Sequence, residues 1–186
     1  MKVSRDQAAR NRRAVVDAAS RLFRAHGVDG ASIADIMRES GLSHGGFYNQ
    51  FDSKDALAAE ACSVSLAGGA ARWQGIAAQA GEDALDAIAA DYLSIRNRDA
   101  PDRGCALVAF GAESARNGGA LTDAFRDGML SLVAVLEQAG ASRAGALARL
   151  SQLVGAMVLA RAVKDEALSL EIMAAARAAC SPATLD

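Results

Sequence analysis

Proline is almost missing from this chain of 186 residues, which holds 2 of them. Aromatic residues make up only 4%. Strands favour β-branched and aromatic residues, whereas alanine is the best helix former, and the chain has 45 alanines. Composition therefore argues against a β-sandwich or barrel, against collagen and against a disordered tail. It argues for an all-α protein large enough to bury a real core. Cysteine is scarce too. Cys62, Cys105 and Cys180 lie far apart, and an odd count without a CxxC pair excludes a disulfide scaffold or a zinc site. With only two histidines, His26 and His44, a His-rich metal site is not expected, and no metal or cofactor is assigned. Long apolar runs are missing as well. The longest, 153–160, is far too short to span a bilayer, and no apolar stretch of signal-peptide length follows the N-terminal charges. The chain reads as cytosolic, without a membrane partner.

There is little net charge, −2 with a pI of about 5.7, so a globally basic nucleic-acid binder is not indicated. The distribution says more. Residues 1–28 carry seven cations (Lys2, Arg5, Arg10, Arg12, Arg13, Arg21, Arg24) against Asp6 and Asp17, a net +5. Residues 57–186 carry a net −4. Such a split points to a polyanion-facing N-terminal end, or else to a solvated basic helix face.

Hydrophobic spacing predicts a first helix over 5–26, with Val15, Ala18, Ala19, Leu22 and Phe23 on one face and Gly27 and Gly30 ending it. Ser32, followed by Asp35, caps a short second helix that Gly41 stops. Ser43 is placed to cap a short helix over 44–51, and Ser53 a long one that runs past Trp73. Further amphipathic helices are expected over 82–97, 105–116, 119–139, 142–162 and 165–179.

Residues 32–51, SIADIMRESGLSHGGFYNQF, thus read as short helix, glycine turn, short helix. This is the helix-turn-helix plan, in which the second helix lies in the DNA major groove. Gly41 permits a left-handed turn. Leu42 and Phe47 can plug the joint, and Phe47 and Phe51 share a core face one turn apart. Tyr48 is one step round, free to expose its hydroxyl. Ser43, Tyr48 and Lys54 are donors suited to phosphate oxygens, and His44 to a base edge or a phosphate. Gly45 and Gly46 are poor helix residues and make sense where backbone must approach something bulky.

At this point the sequence resembles the TetR/AcrR family of bacterial transcriptional regulators. The residues that carry the resemblance are Gly27, Ala31-Ser32-Ile33, the run from Gly41 to Tyr48, then Phe51 and Ser53-Lys54. The specific part covers roughly 10–60; the remainder matches only in length and helical pattern. The resemblance implies a three-helix DNA-binding domain, residues 1–52, followed by a ligand-binding and dimerisation domain, residues 53–186. It implies a homodimeric repressor released from a double-stranded DNA operator by a small-molecule effector. Ser32, Ser43, Tyr48 and Lys54 look like phosphate contacts, His44 and Gly45 like groove-facing positions, and Asn49 like a possible base or phosphate contact. Met37 departs from the small residue often found at its position.

In the family the later helices surround the ligand, and the remaining aromatics, Trp73, Tyr92, Phe110 and Phe125, fall one to a helix. With Arg96, Glu113 and Cys105 they make the candidate pocket, and Arg116 is a further polar candidate. Cys105 follows Arg103-Gly104 and opens a helix, a setting that could lower its pKa. Some family members with a similar Gly-Cys segment sense electrophiles, so a redox-sensing repressor is an alternative. The last two helices carry apolar stripes, Leu147, Leu150, Val154, Met157, Val158 with Arg161, and Leu168, Ile172, Met173, Ala176. Together they form the expected dimer surface.

Two other classes remain: an all-helical enzyme with a small-molecule pocket, and a helical dimer that does not bind DNA. Gly41-Leu42-Ser43-His44-Gly45 matches the GxSxG nucleophile elbow. That elbow needs a strand before its serine, and here a helix is expected, so the chain is not read as an enzyme.

Overall fold

The structure, a computed structural model, describes residues 4–180. The predicted cation Lys2 lies outside them.

Helix α1 runs from Arg5 to Gly30, its start capped by Ser4, whose hydroxyl accepts from the Gln7 N–H at 3.2 Å. It buries Val15, Val16, Ala18, Ala19 and Phe23. It is broken at Gly27, where φ is +77°. A left-handed backbone of this kind suits glycine, and a Cβ there would stand 3.3 Å from Glu113 Oε1.

Helix α2, Ile33–Glu39, opens on the expected cap. The Asp35 N–H donates to Ser32 Oγ at 3.1 Å, and the Ser32 hydroxyl donates to Asp35 Oδ2 at 2.6 Å. These bonds, with the one from Arg38, hold the Asp35 carboxyl below the usual carboxylate range. Gly41, at φ +72°, turns the chain.

The next segment departs from expectation. A helix over 44–51 is predicted; the structure has one 3-10 turn, His44–Gly46, followed by isolated turns closed by Gln50 N–H and Phe51 N–H, both donating to Phe47 O. Ser43 makes no side-chain capping bond. The physical reason is local. Gly45 and Gly46 fall in the first turn, where nucleation is already unfavourable, and the segment is too short for propagation to recover that cost.

Helix α3, Lys54–Ala80, starts where Ser53 Oγ accepts from the Ala56 N–H at 3.0 Å and carries Trp73 as expected. The single helix predicted over 82–97 is instead a 3-10 turn at Gly81–Asp83, then α4 (Ala84–Tyr92) and α5 (Ile95–Asp99). Ser94 makes the break. Its hydroxyl donates to Asp91 O at 2.8 Å and accepts from the Asn97 N–H at 3.3 Å, so it ends one helix and caps the next. A 3-10 turn at Pro101–Arg103 leads to α6 (Ala106–Asn117), followed by α7 (Gly119–Gln138), α8 (Arg143–Ala162) and α9 (Glu166–Ala179). Ser142 and Asp165 cap α8 and α9 through bonds from Gly145 N–H and Leu168 N–H.

One hydrophobic cluster joins both halves of the chain, from Val15 in α1 through Leu57 and Leu66 in α3 to Leu136 in α7 and Met157 in α8. The most extensive helix pair is α3 on α7. Small residues allow it: a Cβ on Gly128 would overlap Leu66, and one on Gly69 would touch Leu132 at 3.9 Å. No helix among the described residues is long and apolar enough to cross a membrane.

Candidate nucleic-acid interface and ligand cavity

The turn after α2 is held from beneath and bare above. Phe47 and Phe51 are buried, their rings stacked with centroids 5.6 Å apart. Met37, also buried, lies under Gly46, 3.7 Å from where a Cβ would sit, so its long side chain fills the joint where a small residue is common. On the outer side, Ser43, His44, Gly45, Tyr48 and Asn49 are all exposed, Tyr48 by 68%. A Cβ on Gly45 would meet nothing within 4 Å. No neighbour inside the molecule therefore demands glycine there. Ser32 is exposed on the approach to the same face, its hydroxyl engaged by Asp35, and Lys54 is half-buried at the first residue of α3. The serine of the GxSxG match follows a helix and sits on this exposed turn, not in a strand-to-helix elbow.

Sequence reasoning missed the residue that fixes this turn. Arg12, counted above only as part of a basic surface, reaches across from α1. Its guanidinium donates to Gln50 O and to both carboxylate oxygens of Glu60 in α3, and lies 4.2 Å from the Phe51 ring centroid. One side chain thus ties α1, the turn and α3 together. Nothing local could have revealed it, because Glu60 lies 48 residues away. Among the described residues Arg5, Arg10 and Arg13 have no distant partner, and Arg10 bonds Gln7, at 2.9 Å.

The second site is a cavity of about 640 Å³ between α1, α3, α4 and the start of α6. It is within the size range of small-molecule pockets. Of the expected pocket residues, Trp73, Tyr92, Arg96 and Cys105 line it. Trp73 and Tyr92 meet edge to face at 5.8 Å. The remaining three are elsewhere. Phe110 is fully buried edge-on against Phe23 at 6.2 Å, so it joins α6 to α1. Phe125, on α7, packs where Gly111 leaves room, at 3.7 Å from the missing Cβ. Glu113 is buried under the Gly27 break and pairs with the exposed Arg116 at 3.3 Å. All three face the α1–α6–α7 joint, a register that helical spacing alone does not fix. In their place the cavity takes Ser20, Arg21 and Arg24 from α1, Ser65 and Arg72 from α3, and Arg103.

The expectation that Cys105 has a lowered pKa is reversed. The residue does sit at the N-terminus of α6, with helpful bonds from the Leu107 and Val108 amides and from Tyr92, and with Arg161 nearby. Burial outweighs them and pushes the thiol up. Cys62, deeper in α3, is pushed up to about 12, again by burial.

Arg161 is likewise not on an outer face. It donates to Arg98 O at 3.1 Å and Asn97 O at 2.6 Å, closing the end of α5, and packs where Gly104 has no side chain. The predicted dimer stripes also split. Leu150, Met157, Met173 and Ala176 are buried in this chain's own core, whereas Leu147, Val158 and Leu168 are exposed, as is Leu159, outside the predicted stripes, by 55%.

Comparison with known proteins agrees with this geometry. The family model described as "Bacterial regulatory proteins, tetR family" matches residues 15–61, the stretch from α1 into α3. A curated relative, the HTH-type transcriptional repressor Rv1474c of Mycobacterium tuberculosis, is 39% identical over 56 residues, a match spanning 30% of each chain. Among solved structures, reduced NemR of E. coli superposes with a TM-score of 0.77 at 20% identity, covering 90% of this chain and 94% of that one. A TetR transcriptional regulator from Chloroflexus aurantiacus gives 0.76 at 22% identity, covering 94% and 96%. These likenesses extend the shared fold over nearly the whole length. Residues 15–61 thus match the tetR family of bacterial regulatory proteins in sequence, and the chain as a whole shares the fold of TetR-family regulators.

Proposed function

We propose that this chain is a homodimeric transcriptional repressor that binds a double-stranded DNA operator and is released by a small molecule. The observation that carries the reading is the turn at 43–49: its apolar side is clamped by Phe47, Phe51 and Arg12, and its polar side is fully presented to solvent. Residues 1–52 are the DNA-facing part and 53–186 the part that takes the effector and the second subunit. Tyr48, Ser43, Ser32 and Lys54 supply phosphate contacts, while His44, Gly45 and Asn49 enter the groove. The short 3-10 turn brings backbone close to the bases at Gly45, where a side chain would stand between them. Two copies would place these turns in successive major grooves roughly 34–36 Å apart.

The exposed Leu147, Val158 and Leu159 of α8 and Leu168 of α9 support dimerisation through that face, since an apolar patch of this kind on a helix pair is a typical subunit contact. The effector reading rests on the cavity, which touches both α1 and α3. A ligand there could shift the turn relative to its partner copy, provided it binds the free and DNA-bound states unequally.

A gel-shift assay with DNA from upstream of the protein's own gene tests the core of this. Binding is expected to weaken steeply as salt rises. Tyr48→Ala is expected to lower operator affinity at least about tenfold without changing the dimer on a sizing column. Operator affinity that survives the substitution would remove Tyr48 from the interface, and no shift at any salt would refute the DNA-binding reading.

A further inference from the structure

The cavity is unusual in its charge and in what it leaves unpaired. Arginines 21, 24, 72, 96 and 103 line it against two carboxylates, Asp17 and Asp91. Asp91 is already shared by Arg72 and Arg96, and Arg21 pairs with Glu39 at 3.2 Å. Among the described residues Arg103 pairs only with Asp102, at 3.6 Å. Arg24 makes no ion pair or hydrogen bond among the described residues, and its Nε is buried and unpartnered. The Ser65 Oγ, also on the cavity wall, is buried without a partner, and the Tyr92 hydroxyl, in a residue only 3% exposed, has nothing but the Cys105 thiol to bond.

Buried polar atoms nearly always find partners, so the orphaned Arg24 Nε and Ser65 Oγ, with a Tyr92 hydroxyl that meets only a thiol, mark a place where a partner is missing. Their chemistry is one-sided. A guanidinium offers only donors, and two hydroxyls can donate. Arg24, Tyr92 and Cys105 all line this cavity, and both Arg24 and Tyr92 lie within electrostatic reach of Cys105. Burial lowers the Arg24 pKa, so its charge is held at a cost that an anion would relieve. The Trp73 ring, edge to face with Tyr92, and Leu132 give the same cavity its apolar lining.

We infer that the cavity takes a small organic anion, a carboxylate or a phosphate ester. Its acidic group is bound by Arg24 with Tyr92, Ser65 and Arg103 as further donors, and its apolar body lies against Trp73. This rests on reading the cavity as the effector site, and it names the ligand's chemistry. It also makes α1 part of the site: Arg24 belongs to the helix whose other end carries the Arg12 clamp, so the anion would touch the DNA-facing half directly.

Trp73 is the only tryptophan in the chain, so its emission reports on the cavity without labels. The full-length protein is titrated with cyclohexanecarboxylate, cyclohexyl phosphate and the neutral cyclohexanecarboxamide, following Trp73 emission and the thermal midpoint. At least one anion is expected to bind saturably and raise the midpoint, with the amide at least about tenfold weaker. Which anion binds more tightly separates carboxylate from phosphate. Arg24→Gln should weaken the anion at least about tenfold and leave the amide unchanged, and Arg24→Lys should recover part of the loss. If Arg24→Gln melts early, Arg103→Gln, at an exposed side chain, carries the same comparison. Equal binding of amide and anions, or no effect of either substitution, overturns the anion assignment while leaving a neutral effector possible. No binding of any probe up to about 10 mM also overturns it. Arg24-dependent anion binding that leaves the gel shift untouched would keep the ligand class and refute the effector role.

Discussion

The two halves of this molecule are related to their relatives in different ways. Residues 15–61 are matched by a family model in sequence, whereas the rest is matched only within whole-chain likenesses of fold, at about one identical residue in five overall. The difference follows from what each half must do locally. In the first, Ser32, Gly41, Phe47, Phe51 and Ser53 each answer a demand set within a few residues: a cap, a positive φ, a ring plugging a joint, another cap. Few residue types satisfy such demands. In the second, the requirement is that amphipathic helices fill a common core, and many apolar combinations of similar volume do so.

Three experiments would break or sharpen this contrast. Phe47→Ala should have the largest effect, a loss of about 3–5 kcal/mol in urea unfolding, because the ring is fully buried and stacks on Phe51 beneath the turn. Operator binding should fall with it while Trp73 emission in the folded protein stays unchanged; a shifted emission would mean that the halves respond as one body. Gly128→Ala should cost about 1–3 kcal/mol by forcing α7 away from Leu66 in α3, with DNA affinity preserved below the melting range. Unchanged stability would show that the α3–α7 seam yields easily. The smallest effect concerns Cys105. Since its thiol titrates above the ordinary value, less thiolate is present near neutral pH, and thiolate is gained only as pH climbs through the raised pKa. Iodoacetamide labelling followed by mass spectrometry should lag a free thiol at about pH 8 and keep rising beyond it. Labelling faster than the free thiol would restore an activated cysteine.

What could be read in advance was whatever is decided nearby in sequence. The caps at Ser32 and Ser53 form as expected, since each needs only a side chain and an N–H three residues on, whereas the one expected at Ser43 does not. The buried pair Phe47 and Phe51 and the exposed Tyr48 follow from one turn of spacing. The failures needed distant information. Arg161 is an arginine on an apolar stripe until the carbonyls of Asn97 and Arg98 arrive beneath it. Phe110 belongs to the core rather than the cavity because Phe23 meets it. The break at Ser94 is a near miss, since serine is a capping residue but helix spacing ran on through it. The orphaned donors of the cavity had no sequence signal at all, because being unpartnered is a property of the packed molecule.

Helix α3 is unbroken from Lys54 to Ala80, which joins the Ser53 cap beside the exposed turn to Trp73 on the cavity wall without a hinge. At 1.5 Å per residue those two points are about 30 Å apart. A rigid rod of that length acts as a lever: a tilt of about five degrees at the tryptophan end swings the other end by roughly 2.6 Å. Hydrogen bonds to a phosphate or a base do not survive a displacement of that size. Motion too small to disturb the packing around the rod's inner end would therefore be ample to undo a grip at its tip.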